Sequence, residues 1–440
     1  MATLRLFAPE QPDYAAQIRR LRELLRGGEL TSASFKATGR VPDIVKNILE
    51  QVAAEGDVAA ARLGSELDRA RLTPETLRVP EALIAEARAQ TEPEFLALIR
   101  RASDNIRAYQ EHILWRSPPL LERGGRKLGV RYTPMKRVAV YVPGGQALYP
   151  STVLMTVVPA RVAGVEEIVM ISPPTGGEIH PLALALAGEL GVREVYRLGG
   201  AVGIAAVAFG TQSIRPVDKI VGPGNAFVAE AKRQLYGRVG IDSIAGPSEV
   251  FVVADDSANP KWVAADLLAQ AEHNPGSAIL ATPSRTLAER VIVEVEEQLK
   301  DLSRAEVTRP SLERYSAVII TDTLEQACRY ADEFAPEHLQ IQTREDQKCL
   351  ERIRCAGAIF VGHQTPVPLG DYFAGPSHVL PTGGNARFSP PLSANDFLRV
   401  SSLIQYSGEA LAEDADDVIQ FAEREGLTAH AQAVRTRTQG

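Results

Sequence analysis

From Arg137 onward, short β-branched and apolar runs alternate with segments of helical character. The first four runs are VAVYVP, EIVMIS, EVYRLGG and KIVGPG, and the pattern returns after Ser248 with SEVFVVAD, SAILATPS, SAVIITD, EHLQIQT and GAIFVG. Strands that alternate with helices in this way are typical of βαβ units, whose strands form a parallel sheet. The chain is therefore predicted to be an α/β protein with two successive Rossmann-like parallel-sheet halves.

The segments that flank this pattern give the predicted domain organisation. Residues 1–136 form a mainly helical region that packs on the body, because their apolar residues recur at three- and four-residue spacing. The first α/β half is predicted at 137–247 and the second at 248–385. Residues 386–440 form a C-terminal arm with two short amphipathic helices, which has too little apolar surface for a domain of its own. It packs either on another subunit or back on the body.

Composition excludes several classes of protein. The 440 residues carry a formal charge of −7, with 45% apolar and 23% charged residues, as in an ordinary globular protein. The sequence has no basic stripe of the kind that binds nucleic acid. It also has no polybasic segment that would anchor it to a membrane and no apolar stretch long enough to span one. Three cysteines without C-x-x-C spacing argue against a disulfide framework and favour a reducing compartment. No signal peptide is recognisable, so a cytoplasmic protein is expected.

Three glycine-rich turns each follow a predicted strand: VPGG at 142–145, GPGN at 222–225 and AGPS at 245–248. Glycines allow a backbone to approach a ligand, and a following helix N-terminus favours anions such as a pyrophosphate. The dinucleotide motif G-x-G-x-x-G and the phosphate-loop signature are both absent. From the pattern alone, tight βα turns are the simpler interpretation.

Gln270 and His273 in DLLAQAEH lie three residues apart, so on a helix they share one face. Such a pair can bind one metal ion, although a polar helix end is the commoner case. Asp371 and His430 are candidates to complete a four-ligand set, but their spacing does not establish it. Nitrogen and oxygen donors without thiolates suit zinc or a neighbouring transition metal.

The most unusual local feature is Glu337 beside His338 at the entry to the predicted strand EHLQIQT. In that strand Leu339 and Ile341 share one face, which leaves His338 with Gln340 on the other. A histidine with a near-neutral pKa is a natural proton acceptor. The alternative is a surface histidine at the start of a strand.

Several strings, taken together, resemble the histidinol dehydrogenase family. They are YVPGGQALYPSTVLM, GPGNAFVAEAKRQL, AGPSEVFVVAD, DLLAQAEHNP, APEHLQI, GAIFVG, GDYFAGPSHVLPTGGNARFS and EGLTAH. They occur in the order of the family, from about residue 141 to residue 430, whereas the N-terminal third resembles it only in helical character. The resemblance implies oxidation of L-histidinol through histidinal to L-histidine, with two NAD reduced, at the end of histidine biosynthesis.

The resemblance also assigns site residues. Gln270, His273 and Asp371 match zinc ligands, and His430 matches a fourth that the family takes from the partner subunit. It therefore implies one zinc ion per subunit, a homodimer with shared active sites, and a C-terminal dimerisation arm. Glu337 and His338 match the acid–base pair and also contact the substrate, as the zinc ligands do. Further matches are Ser248, His378 and Glu425 for substrate and Tyr141 and Asn225 for NAD.

Val202 departs from the family pattern, which usually has a glutamine that contacts the cofactor. A valine neither donates nor accepts, so one hydrogen bond to NAD, worth about 0.5–1.5 kcal/mol, is expected to be missing. Two alternatives remain open: a related enzyme that oxidises another small alcohol, and a non-catalytic binding protein. A covalent mechanism through Cys328, Cys349 or Cys355 is disfavoured, because these cysteines lie outside the matched motifs.

Overall fold

The computed structural model describes residues 4–26, 41–144, 150–244, 246–273 and 275–438. Two of the predicted glycine-rich turns therefore each include one residue outside these ranges, Gly145 and Ala245. Within these ranges, no helix is both long enough and apolar enough to cross a membrane.

The described part of the chain alternates strands and helices along most of its length. The strands are β1 Arg5–Phe7, β2 Leu121–Arg123, β3 Arg126–Pro134, β4 Arg137–Tyr141, β5 Glu167–Ser172, β6 Glu194–Arg197, β7 Lys219–Val221, β8 Gly240–Ile241, β9 Ser248–Ala254, β10 Gly276–Thr282, β11 Ala317–Ile320, β12 His338–Gln342, β13 Ala358–Val361 and β14 Leu398–Tyr406. The helices are α1 Tyr14–Arg26, α2 Val41–Glu55, α3 Asp57–Leu67, α4 Glu81–Gln90, α5 Pro93–Ile113, α6 Ser151–Ala163, α7 Pro181–Glu189, α8 Gly200–Phe209, α9 Ala226–Leu235, α10 Pro260–Ala271, α11 Arg285–Leu299, α12 Ala305–Tyr315, α13 Leu324–Phe334, α14 Asp346–Arg352, α15 Val367–Tyr372, α16 Gly408–Arg424 and α17 Thr428–Thr438.

Two parallel sheets confirm the predicted α/β halves. The first has the order β6-β5-β4-β7-β8, and the second the order β1-β11-β10-β9-β12-β13. In both, the first strand of the half is central and the chain then proceeds outward on each side, which is the Rossmann arrangement. All nine predicted strand runs are strands. Each sheet gains one further strand: β8 pairs with β7 in the first, and β1 from the N-terminal region pairs with β11 in the second.

Helices cover both faces of each parallel sheet, which explains why the strands are continuously apolar. In β4, Val138 and Val140 pack on one face while Ala139 and Tyr141 pack on the other. The N-terminal helices contribute to both layers of the first half, as expected for a region that packs on the body. The domain boundaries themselves remain a prediction.

The C-terminal arm contains a strand in addition to its two predicted helices. Its two helices, α16 and α17, occur as expected, but strand β14 precedes them and pairs antiparallel with β3, which in turn pairs with β2. Most of β14 is exposed to solvent in this single chain. An exposed strand lacks the buried, apolar face that would identify it in the sequence, and its partner lies far away along the chain.

At the amino edge of the first sheet, one buried arginine links three strands by pairing with two carboxylates. The guanidinium of Arg137 on β4 donates to both oxygens of Glu194 on β6 at 2.5 and 2.9 Å, and to Glu167 on β5 at 2.9 Å. Only 7% of the Arg137 side chain is exposed. Removing it would leave Glu194 without its ion-pair partner, whereas Glu167 would keep Arg215 at 2.5 Å.

We therefore expect Arg137→Ala to lower the free energy of unfolding by about 3 kcal/mol, measured by urea denaturation. Arg344→Ala is the control, because Arg344 pairs with Asp256 at 3.1 Å on the open surface, where ion pairs contribute little. Equal losses in the two variants would contradict a special role for the buried pair.

Candidate active site

The adjacent Glu337 and His338 lie at the entry to β12, and both are buried. The preceding helix α13 ends at Phe334 and is capped by Ala335, a non-glycine residue in the left-handed conformation with φ 48°. Pro336 then prevents the helix from continuing. Within β12, Leu339 and Ile341 pack in the core. His338 and Gln340 lie on the opposite face, as the alternation predicts.

Backbone groups of Glu249 at the start of β9 hold both side chains. The Glu249 N–H donates to Oε2 of Glu337 at 2.8 Å, and Nδ1 of His338 lies 3.1 Å from the Glu249 carbonyl oxygen. A carbonyl can only accept, so Nδ1 carries a proton in both protonation states of the ring, and Nε2 is the atom that gains or loses one. Nε2 is buried 3.6 Å from Oδ1 of Asp371, close enough for an ion pair when the ring is protonated, and among the described residues no group lies within hydrogen-bond distance of it.

This arrangement shifts the ionisation of the adjacent pair. Burial raises the pKa of Glu337 to about 7 even though nearby His338 and hydrogen bonds from Glu249 and Ser248 oppose the rise. Burial alone would lower the pKa of His338, but the carboxylates of Glu337 and Asp371 outweigh it and raise that pKa to about 9. The near-neutral pKa expected for His338 is therefore wrong, because two buried carboxylates stabilise its charged form.

The predicted ligand pair, Gln270 and His273, does not lie on one helix. Gln270 is in the last turn of α10 and buried, but the helix ends at Ala271, and His273 follows it. The His273 N–H still bonds to the Gln270 carbonyl at 3.3 Å, so a tight turn keeps the two residues close. A Cβ at Gly276 would lie 2.2 Å from the Gln270 carbonyl oxygen, so the chain enters β10 there through a turn with no room for a side chain.

Asp371, at the end of α15, lies among three histidines. Burial would raise the pKa of this carboxyl, but His338, His378 and His273 outweigh the effect and lower it. Burial lowers the pKa values of His273 and His378. At neutral pH the site therefore offers two neutral imidazoles and an ionised carboxylate, which is the protonation state that metal ligands need.

His378 is held by its own loop and by the first α/β half. Its Nδ1 lies 3.0 Å from the Asp371 carbonyl oxygen, and its Nε2 lies 3.3 Å from Oγ1 of Thr152 on α6. Sequence reasoning missed Thr152 and Glu249. Both lie within strings that resemble the family, AGPSEVFVVAD and YVPGGQALYPSTVLM, and Glu249 also stood out as an acidic residue at the start of an otherwise apolar run.

The two residues matched to NAD lie at the carboxyl edge of the first sheet. Tyr141 ends β4, where its hydroxyl accepts a hydrogen bond from the Gly200 N–H at 3.3 Å. Asn225 follows the neighbouring strand β7 and caps α9, with its side chain accepting from two backbone N–H groups. Val202, in the first turn of α8, is 1% exposed and packs in the core. All three positions thus also have a structural role in the chain.

Glu425 and His430 are exposed to solvent, unlike the other matched residues around His338. No hydrogen bond or ion pair between described residues joins either of them to the cluster around Asp371. Across the described ranges, no three His, Cys, Asp or Glu side chains of the single chain form a group that could hold a metal. His273 and Asp371 supply only two such side chains, and Gln270 is an amide.

Comparisons with known proteins identify the family. The chain matches the family model described as histidinol dehydrogenase over residues 32–438. It is 48% identical to the histidinol dehydrogenase of Rhodopirellula baltica, covering 98% of this chain and 96% of that protein. It is 46% identical to that of Thermosynechococcus vestitus, covering 97% and 98%. The crystal structure of the histidinol dehydrogenase from Elizabethkingia anophelis superimposes with a TM-score of 0.91 at 31% identity, over 100% of this chain and 99% of that one. The chain belongs to the histidinol dehydrogenase family.

Proposed function

We propose that this oxidoreductase converts L-histidinol through histidinal to L-histidine, the last step of histidine biosynthesis, while two NAD are reduced. Family membership and relatives of nearly the same length support the proposal. The observation that carries it is the buried cluster in which Glu337, His338 and Asp371 combine acid–base groups with neighbouring neutral imidazoles.

Gln270, His273 and Asp371 fit a zinc ion, one per subunit. Neutral imidazole nitrogen and carboxylate oxygen are usual zinc ligands, and the lowered pKa values of His273 and Asp371 keep both groups ready to bind at neutral pH. When bound, zinc would coordinate the substrate's imidazole and amino nitrogens and so fix the position of the carbinol carbon. The fourth ligand, His430, would come from a second copy of the chain.

His338 and Glu337 would divide the proton chemistry. The hydroxyl of the alcohol must lose a proton, and Nε2 of deprotonated His338 would accept it, because Nδ1 is bonded to the Glu249 carbonyl. With a pKa raised to about 9, this form of His338 becomes more populated as the pH approaches 9. An aldehyde has no hydroxyl to deprotonate until water has added. Glu337, with a pKa of about 7, is a far better base for that water than an ordinary carboxylate.

NAD, when bound, accepts the hydride, and we assign Tyr141 and Asn225 to its binding. The absence of a polar side chain at Val202 should weaken NAD binding without preventing it. The same departure keeps open a second candidate function, oxidation of another small amino or polar alcohol. The side chains proposed to hold the substrate are Ser248, Gln270, His273, Glu337, His338, Asp371, His378, Glu425 and His430.

A homodimer with shared sites would explain the exposed C-terminal arm. Glu425 and His430 face solvent in one chain, and the arm also exposes large apolar side chains: Val400 at 60%, Ile404 at 72% and Phe421 at 73%. A second copy of the chain that covers these residues would bury them and bring the two polar residues to its partner's site. We also propose a cytoplasmic location, because all three cysteines are free thiols, as a reducing compartment would keep them.

The test of function is NADH formation from histidinol, with metal content measured on the same protein. We expect about one zinc per chain, and His273→Ala should lose zinc and activity together while the fold survives. His112→Ala is the control, since His112 is exposed at the end of α5 and should keep both. NADH formation only with another alcohol from a panel of amino alcohols would favour the second candidate. Full zinc content in His273→Ala would show that its ligand assignment is wrong.

Mixing inactive variants tests the shared site. In a mixed dimer of His430→Ala with His273→Ala, one site lacks both ligands and the other is intact, so random exchange should restore roughly a quarter of wild-type activity. The control is His273→Ala mixed with Asp371→Ala, where every site lacks a ligand and no activity should return. If subunits exchange and the first mixture stays inactive, His430 serves its own subunit.

The division of proton chemistry predicts different losses in the two half-reactions. His338→Gln should slow NADH formation from both histidinol and histidinal, because the hydrate that water forms with histidinal also has a hydroxyl that must lose a proton when the hydride leaves. Glu337→Gln should slow oxidation of histidinal more than that of histidinol, because an amide cannot take the proton of water. Single-turnover assays begun from each substrate measure both. Equal losses for Glu337→Gln would contradict the division, and full activity of His338→Gln would remove His338 from the mechanism.

A further inference from the structure

Glu249 is a buried carboxyl residue that the proposed reaction leaves without a role. It is the second residue of β9, only 5% exposed, and every later side chain of that strand belongs to the apolar core. Burying a carboxyl group is costly unless it receives hydrogen bonds. The contacts of Glu249 therefore need an explanation.

Glu249 and Glu337 hold each other through reciprocal hydrogen bonds. The backbone N–H of Glu249 donates to Oε2 of Glu337 at 2.8 Å. In return, the backbone N–H of Glu337 donates to the Glu249 carboxylate. The Glu249 carbonyl also accepts from Nδ1 of His338 at 3.1 Å. One residue thus contacts both members of the acid–base pair and orients their side chains.

The same carboxylate reaches the loop that carries His378. Its Oε1 accepts a hydrogen bond from the Gly383 N–H at 2.9 Å, and Gly383 adopts a left-handed conformation with φ +63°. The neighbouring Thr382 accepts a further hydrogen bond from the Gly246 N–H just before β9. Glu249 therefore ties together β9, the start of β12 and this loop.

We propose that Glu249 is a positioning residue of the reaction, which fixes Glu337 and His338 through its reciprocal hydrogen bonds with the start of β12. The proposal rests on the proposed function, because the proposed reaction is what makes Glu337 and His338 an acid–base pair. Among the contacts of the described residues, the side chain of Glu249 bonds to none of Gln270, Asp371 and Tyr141. Its loss should therefore disturb the proton chemistry and leave zinc and cofactor binding intact.

The experiment compares Glu249→Ala and Glu249→Gln with the wild-type zinc-loaded enzyme. It measures kcat, the KM values for the substrate and for NAD, and the zinc content. Glu249→Ala removes both acceptors and should lower kcat about 10- to 100-fold from either histidinol or histidinal, with both KM values and zinc unchanged. Glu249→Gln keeps one acceptor oxygen but turns an –NH₂ group toward the second N–H, so its kcat should lie between those of wild type and Glu249→Ala.

The matched control is Glu194→Gln, the same change in a carboxylate that pairs with Arg137 in the first sheet. It should lower the melting temperature and leave kcat unchanged. Wild-type kcat in Glu249→Ala, or a loss of kcat explained by lost zinc, would overturn the proposal. If Glu249→Ala does not fold, Glu249→Gln decides: a drop of roughly threefold or more in kcat at constant KM supports the proposal, and an unchanged kcat overturns it. A wild-type protein that forms no NADH from histidinol would instead contradict the proposed function.

Discussion

When helices cover both faces of a parallel sheet, polar groups can meet water or a ligand mainly where the strands begin and end, at the amino and carboxyl edges of the sheet. Both halves of this chain obey that constraint, since alternate residues of β4 and of β9 enter separate apolar layers. The residues with chemistry consequently gather at edges. Tyr141 and Asn225 lie at the carboxyl edge of the first sheet, where ligands of such folds usually bind. Glu337 and His338 lie instead at the amino edge of the second.

The amino edge can hold this site because the side chains there complete the hydrogen bonding of the backbone. Beyond the last ladder pair, His338 with Val250, the N–H and C=O of Glu249 bond to the side chains of Glu337 and His338. Buried charges then compensate one another, because Asp371 lies among imidazoles and His338 lies between two carboxylates. Electrostatics and backbone satisfaction therefore favour the same arrangement of these groups.

Sequence reasoning was wrong or silent wherever distant segments decide the outcome. It placed His273 on the helix of Gln270, whereas close packing at Gly276 requires the helix to end first. It did not predict β14, because that strand is exposed and its partner β3 lies in the N-terminal region. It expected a near-neutral His338, because Asp371 is far away along the chain. Glu249 had only a weak signal, an acidic residue beside apolar ones.

The sequence by itself determined the strand–helix alternation, the apolar faces and the order of the family motifs, since these follow from local periodicity and from short strings. The alternation in β12 is the clearest case, because side chains of a strand must point to opposite faces. Only the tertiary structure decided which edge each motif occupies and how far the pKa values of Glu337 and His338 shift. Those properties depend on burial and on the distances between charges, and both are set by segments that meet only when the chain is folded.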